Sequence, residues 1–340
     1  MADIEIRKIG KAGRITLNRP EALNALSYEM ALAVEAALDD WAVDPSVELV
    51  IIDAAGDKAF CAGGDIQEMY DTAKLGDYSY GRKFWRDEYR MNAKLFNFPK
   101  PYVAFMQGFT MGGGVGISCH GSHRIVCENS QIAMPECGIG LVPDVGGSLL
   151  LARAPGHLGE YLGCTAARMD AGNAIYAGFA DYYIPCAAWP ALIEALEGGD
   201  LAAIDTAALP APEASLKADQ PEIDRSFNGA TVADILRGFK GSDWEAKTEK
   251  SLRRNCPLSV ECTLELVRRV RGPDTIEHAL GMEYRFTSRS ASEGDFIEGI
   301  RAAIIDKDRS PQWQPATLEA VTPMNISKML MPLGADALKL

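Results

Sequence analysis

The chain has 340 residues, enough for one large domain or for one domain with an appendage. Hydrophobic residues make up 47% and charged residues 24%, the balance of an ordinary globular protein. A formal net charge of −13 argues against nucleic acid as a partner, and no apolar run approaches the roughly 20 residues that cross a bilayer.

The start, Met1-Ala2-Asp3-Ile4-Glu5, lacks the basic patch and apolar core of a leader and is not Arg/Ser-rich, so a cytoplasmic protein is expected. The 8 Cys are scattered without a Cys-x-x-Cys pair, and reduced thiols are the default. Ile4 to Ile9 alternates apolar and polar residues as a half-buried strand does, and Arg14–Leu17 after Gly13 completes a hairpin. Ser27 should cap a helix running to about Trp41. Val47–Asp53 reads as a buried strand, followed by the loop 54–64, a helix opened by Asp65 and another over Gly81–Phe96. Strands follow at Pro101–Met106, Arg124–Cys127 and Gln131–Met134. This alternation predicts an α/β core with right-handed crossovers. After about Pro185 the pattern changes: 187–209 is rich in Ala, Leu and Glu, 210–221 reads as a Pro-punctuated linker, and helices are expected at 231–239, 243–255, 259–271, 274–289 and 293–306. The division expected is a core over 1–210 and a mainly helical region over 211–340.

The chemistry concentrates between the strand 101–106 and residue 147. Gln107-Gly108-Phe109-Thr110-Met111-Gly112-Gly113-Gly114-Val115-Gly116 places three consecutive glycines where a helix opens. Helix starts leave N–H groups unpaired, and glycine lets a ligand oxygen approach them. Two carboxylates follow, in Met134-Pro135-Glu136 and Pro143-Asp144-Val145-Gly146-Gly147. Free donors with placed carboxylates suit stabilisation of an oxyanion beside an acid, base or nucleophile.

These residues resemble a known family. Asn18-Arg19-Pro20-Glu21-Ala22-Leu23-Asn24-Ala25-Leu26, then Ala59-Phe60-Cys61-Ala62-Gly63-Gly64-Asp65-Ile66, then the triple glycine, are similar to the crotonase (enoyl-CoA hydratase/isomerase) superfamily over most of residues 10–185. Phe84-Trp85-Arg86-Asp87-Glu88-Tyr89, the Glu136 and Asp144 motifs and Asp295-Phe296-Ile297-Glu298-Gly299-Ile300-Arg301-Ala302 resemble its 3-hydroxyisobutyryl-CoA hydrolase branch. The resemblance implies a spiral of ββα units with a helical C-terminal region and an acyl-CoA substrate. The reaction implied is hydrolysis of a short 3-hydroxyacyl-CoA thioester, of the valine-catabolism type. No cofactor is required beyond the coenzyme A of the substrate, no membrane or nucleic acid is involved, and a homo-oligomer is allowed. By motif position the oxyanion hole is made by the N–H groups of Gly64 and Gly113. Glu136 is the expected nucleophile or general base, Asp144 the second functional carboxylate, and Glu88, Ala62 and Asp65 the substrate-binding residues.

Each of these has a bland reading. Glu136 could be an exposed loop acid, Asp144 an N-cap of the helix entered at Gly147, Glu88 one charge on a solvated helix face, and Asp65 a helix cap that fixes its loop. Cys119, His120, His123 and Cys127 superficially resemble a metal cluster, but their spacing fits no standard zinc pattern and no metal is expected. Gly116 stands where two-glutamate hydratases of the superfamily carry a Glu, which counts against ordinary enoyl-CoA hydration. The rivals are a hydratase or a Δ3-Δ2 enoyl-CoA isomerase, for which Glu136 alone could serve, and a non-catalytic acyl-CoA-binding protein.

Overall fold

The computed structural model describes residues 2–340, which form two compact units built from interleaved segments. The first comprises residues up to Asp65, Arg90–Ala133 and Arg168–Ala218; the second comprises Ile66–Tyr89, Met134–Ala167 and Asp219–Leu340.

The first unit holds both sheets. β1 (Ile4–Ile9) and β2 (Ala12–Leu17) form the antiparallel hairpin, and β3 (Leu49–Ala54), β5 (Tyr102–Met106), β7 (His123–Val126) and β9 (Tyr182–Tyr183) extend it in parallel, in the order β1-β2-β3-β5-β7-β9. Leu49-Val50-Ile51-Ile52 is buried throughout, as a parallel strand covered on both faces must be. One face of this sheet, with Ile51, Val103, Phe105 and Ile125, packs on Trp189, Leu192 and Leu196 of the helix Trp189–Glu197. Phe105 and Trp189 meet edge to face with ring centroids 5.1 Å apart. A smaller parallel sheet joins β4 (Ala59–Cys61), β6 (Phe109–Met111) and β8 (Gln131–Ala133). Ser27 caps the helix Tyr28–Val43 as expected, accepting the Met30 N–H.

The second unit is helical. Pro257–Arg271 packs against Gly147–Arg153 and Leu158–Thr165, and Ile276–Glu293 packs against Pro323–Leu330. Capping boxes at Thr231 and Ser242 start the helices Val232–Arg237 and Asp243–Arg254.

Two expectations change. The segment 210–221 is not a linker throughout, because a helix runs over Ser215–Ser226 with Pro221 inside it. Leu216, Ile223 and Phe227 are buried at helical spacing, and the Leu216 N–H is held by Asn173, so packing outweighs the proline. The single helix expected over 293–306 is a short one, Phe296–Ile300, widening into a π-turn over Arg301–Ile305. The preceding helix stops at Gly294, whose backbone is extended.

Candidate active site

The first unit carries the donors. β4 and β6 are parallel neighbours, so the two glycine turns that follow them, 62–64 and 112–114, emerge side by side from one edge of the small sheet. A Cβ on Gly114 would lie 2.4 Å from the Cys61 carbonyl oxygen, and one on Gly63 3.6 Å from that of Met111. Gly63 (φ 124°) and Gly112 (φ 50°) take conformations that side chains avoid. The Leu26 N–H donates to the Gly63 carbonyl (2.9 Å), and the Leu26 carbonyl accepts the Asp65 N–H (2.8 Å). Gly64 lies between these bonds and therefore directs its own N–H away from Leu26. Gly113 is the first residue of its helix, so its N–H has no intrahelical acceptor. That helix is a single turn, Gly113–Gly116, shorter than the sequence suggests. Its contribution is a placed donor rather than a macrodipole. The Gln67–Lys74 helix begins after Ile66, whose side chain makes no cap bond. The Asp65 carboxylate accepts both terminal nitrogens of Arg19 at 3.1 Å, tying the donor loop to the motif around Asn18-Arg19-Pro20.

The second unit carries the acids. Glu88, Glu136 and Asp144 are 3%, 5% and 5% exposed, which overturns the solvated readings of Glu88 and Glu136. Glu136 opens a 3-10 turn after Pro135, and its Oε2 is buried with no hydrogen-bond partner among the described residues. Asp144 Oδ2 accepts the Tyr89 hydroxyl at 2.6 Å. It does not cap the following helix, whose N-cap is Gly146. That helix start is served by Glu283, which accepts the N–H groups of Gly146 (2.9 Å) and Ser148 (3.0 Å) and the Ser148 hydroxyl. Arg82, through Nε to the Ser288 carbonyl (3.0 Å), ties the Tyr89 helix to the Glu283 helix.

Burial is the largest influence on all four carboxyls and raises each. Glu88 and Glu136 are held well above the usual range, with the charge of Asp144 adding to burial in both. Asp144 is pushed up to about 7, the Tyr89 hydrogen bond opposing burial, and Glu283 to about 8, the Ser148 hydroxyl opposing it. Four buried, interacting carboxyls cannot all ionise. Asp144 and Glu283, at about 7 and 8, lie in the range where a general acid or base works.

Sequence reasoning missed Glu283 and the part played by Tyr89. Glu283 was legible in principle: it sits on a helix among Ala279, Leu280 and Phe286, all on the buried face at spacings of three and four. A lone acid on an apolar stripe is a buried acid with a task.

Comparison with known proteins places the chain in the crotonase superfamily. The enoyl-CoA hydratase/isomerase family matches residues 12–330, and the chain belongs to that family. It is 37% identical to the mitochondrial 3-hydroxyisobutyryl-CoA hydrolase of Gallus gallus, over 100% of this chain and 91% of the relative. It is 36% identical to the Homo sapiens protein of the same name, over 99% and 90%. Among solved structures, one from Rhodobacter sphaeroides 2.4.1, described as an enoyl-CoA hydratase, is 55% identical with a TM-score of 0.95, covering 100% of both chains. One from Mycobacterium thermoresistibile, described as a carnitinyl-CoA dehydratase, is 38% identical with a TM-score of 0.94, over 98% and 97%. The relatives named as hydrolases are mitochondrial, which differs from the cytoplasmic expectation. Among the described residues no helix is long and apolar enough to cross a membrane.

Proposed function

We propose that this chain hydrolyses short 3-hydroxyacyl-CoA thioesters, with 3-hydroxyisobutyryl-CoA as the substrate to test first. The N–H groups of Gly64 and Gly113 take the thioester oxygen, and Ala62 shapes the same turn. Glu136 either attacks the carbonyl carbon, giving a mixed anhydride that water opens, or removes a proton from the attacking water. In both routes the C–S bond breaks, coenzyme A leaves as the thiol after taking up a proton, and the free acid remains. Asp144 and Glu88 orient the hydroxyacyl group or the water, and Asp65 holds the donor loop through Arg19. No cofactor besides the coenzyme A of the substrate enters these steps.

The observation that carries the reading is that Glu136 is accompanied by buried Glu88, Asp144 and Glu283 in one interacting set, whereas position 116 is glycine. The names of the curated relatives support it. A second reading, enoyl-CoA hydration, is favoured by the description of the 55% identical structure. A panel of short acyl-CoAs, followed for thiol release and for loss of the enoyl chromophore, separates the two. Release from 3-hydroxyacyl-CoA with little crotonyl-CoA hydration is expected. Hydration without release would replace the hydrolase reading.

A further inference from the structure

Outside the acyl-CoA site, the first unit brings together two cysteines that are distant in sequence. Cys127 follows β7 and Cys186 follows β9; the strands pair in parallel with Val126 opposite Tyr183, and the Ile184 N–H donates to the Val126 carbonyl. This register leaves the two side chains at neighbouring strand ends, with Sγ–Sγ 2.7 Å. Cys127 is fully buried in the apolar layer under the large sheet, beside Ile184 and Trp189. Cys186 is half-buried and lines a cavity of about 590 Å³, together with Glu128, Asn129, Trp189 and Arg14. One thiol therefore faces a space that a small molecule can enter, and the other stands directly behind it.

The thiols admit two chemistries. With Glu128 they form a three-ligand group of the kind that could hold a metal ion. Two sulfurs about 2.3 Å from one tetrahedral zinc lie roughly 3.8 Å apart, well beyond the 2.7 Å here. The Glu128 carboxylate is also already engaged by the Cys186 N–H at 3.0 Å. The separation lies closer to the roughly 2.05 Å of an S–S bond than to that of a shared ion.

We infer that Cys127 and Cys186 form a thiol–disulfide exchange site, with Cys186 as the thiol that meets a small disulfide of the glutathione class and Cys127 as the one that resolves it. The Cys186 thiolate attacks one sulfur of oxidised glutathione, the S–S bond breaks, and one glutathione leaves as the thiol after protonation. Cys127 then attacks Cys186 Sγ in the mixed disulfide, releasing the second glutathione and closing the Cys127–Cys186 bond. Two protein thiols are oxidised and one glutathione disulfide is reduced to two thiols, so electrons and protons balance. Burial, followed by the contact with Cys127, holds the Cys186 thiol above its ordinary value, so the exchange is slow rather than prompt. The inference stands independently of the acyl-CoA reading.

The full-length protein would be incubated with oxidised glutathione, quenched with acid, and its free thiols titrated in denaturant. Of the 8 cysteines, two should be lost, both recovered with a reducing thiol, and peptide mass mapping should find one link, between Cys127 and Cys186. Cys127→Ala keeps the layer apolar and should stop at a single glutathionyl group on Cys186. Cys186→Ser should take up none at either position. Full retention of thiols in the wild type, under conditions that oxidise a reference dithiol, would overturn the assignment. So would a link between other cysteines, or zinc held one per chain through dialysis and shielding both thiols from the disulfide. Wild-type mapping decides the matter even if a variant folds poorly.

Discussion

Tyr89→Phe removes one oxygen and tests how the acid cluster is tuned. The Tyr89 hydroxyl donates to Asp144 at 2.6 Å and lies 3.3 Å from Thr287 Oγ1, and the ring is fully buried beside Tyr284. A hydrogen bond to a charged acceptor contributes about 1.5–3 kcal/mol. At about 1.4 kcal/mol per pKa unit, that corresponds to about 1–2 units. The bond favours the ionised carboxylate, so its loss raises Asp144 further from about 7. If Asp144 works ionised, the acidic limb of kcat/KM moves up by about 1–2 pH units. The ionised fraction at pH 7 then falls roughly 5- to 50-fold and recovers to between about a half and nine-tenths at pH 9. The assay is thiol release from a 3-hydroxyacyl-CoA between pH 5.5 and 9.5, with thermal unfolding as a folding control. A stationary limb, or one that moves down, refutes the reasoning. A uniform fall at every pH would mean that Tyr89 only packs.

Glu136→Gln keeps shape and loses the ionisable group, so turnover should fall at least about 100-fold with substrate binding retained; retention of a tenth of wild-type turnover would remove Glu136 from the chemistry. Gly114→Ala forces a methyl to within 2.4 Å of the Cys61 carbonyl oxygen, and circular dichroism with activity should show either a destabilised fold or a displaced donor turn; a fully active, equally stable variant contradicts the close approach. Asp144 and Glu283 are raised to about 7 and 8 from 3.8 and 4.5, so between those values the folded state holds protons that the unfolded state releases. The stability this contributes is full below about pH 4 and is lost as pH rises through 8, with a slope of up to about 1.4 kcal/mol per pH unit for each group. Glu283→Gln should flatten urea midpoints over pH 5–8, and an unchanged slope would show that Glu283 is ionised throughout.

The strands, the glycine turns and the family were legible because they depend on local pattern. Leu49–Ile52 is an apolar run, Gly112 and Gly63 are glycines where the backbone needs positive φ, and Ser27 is a cap at a helix start. What long-range packing decides was not legible. Nothing local marks Pro221 as a helix residue, because the apolar face that overrides it faces partners elsewhere in the chain. The ion pair of Asp65 with Arg19 is invisible locally, since Arg19 lies 46 positions upstream. The acid cluster joins residues 88, 136, 144 and 283, and the last of these is separated from the others by more than a hundred positions. The grouping of 66–89 and 134–167 with the C-terminal helices is likewise a property of packing, invisible in composition.

The loop 144–148 shows how that packing sets the direction of one carboxylate. Tyr89 holds Asp144 from one helix, and Glu283 holds the N–H groups of Gly146 and Ser148 from another. Between them Val145 sits at φ 53°, a region that β-branched residues avoid. Such a conformation costs of order 1–3 kcal/mol and persists only where its surroundings over-determine it. If both helices act on the same strained residue, their contributions cannot be independent. Once Glu283→Gln lets the loop relax, Asp144 turns from the Tyr89 hydroxyl, and Tyr89→Phe then has less left to remove. The double variant should therefore be less impaired in kcat/KM than the two singles together, with a coupling of about 0.5–3 kcal/mol. Additivity within about 0.3 kcal/mol would mean that the loop holds its own shape, and that Tyr89 and Glu283 serve it separately.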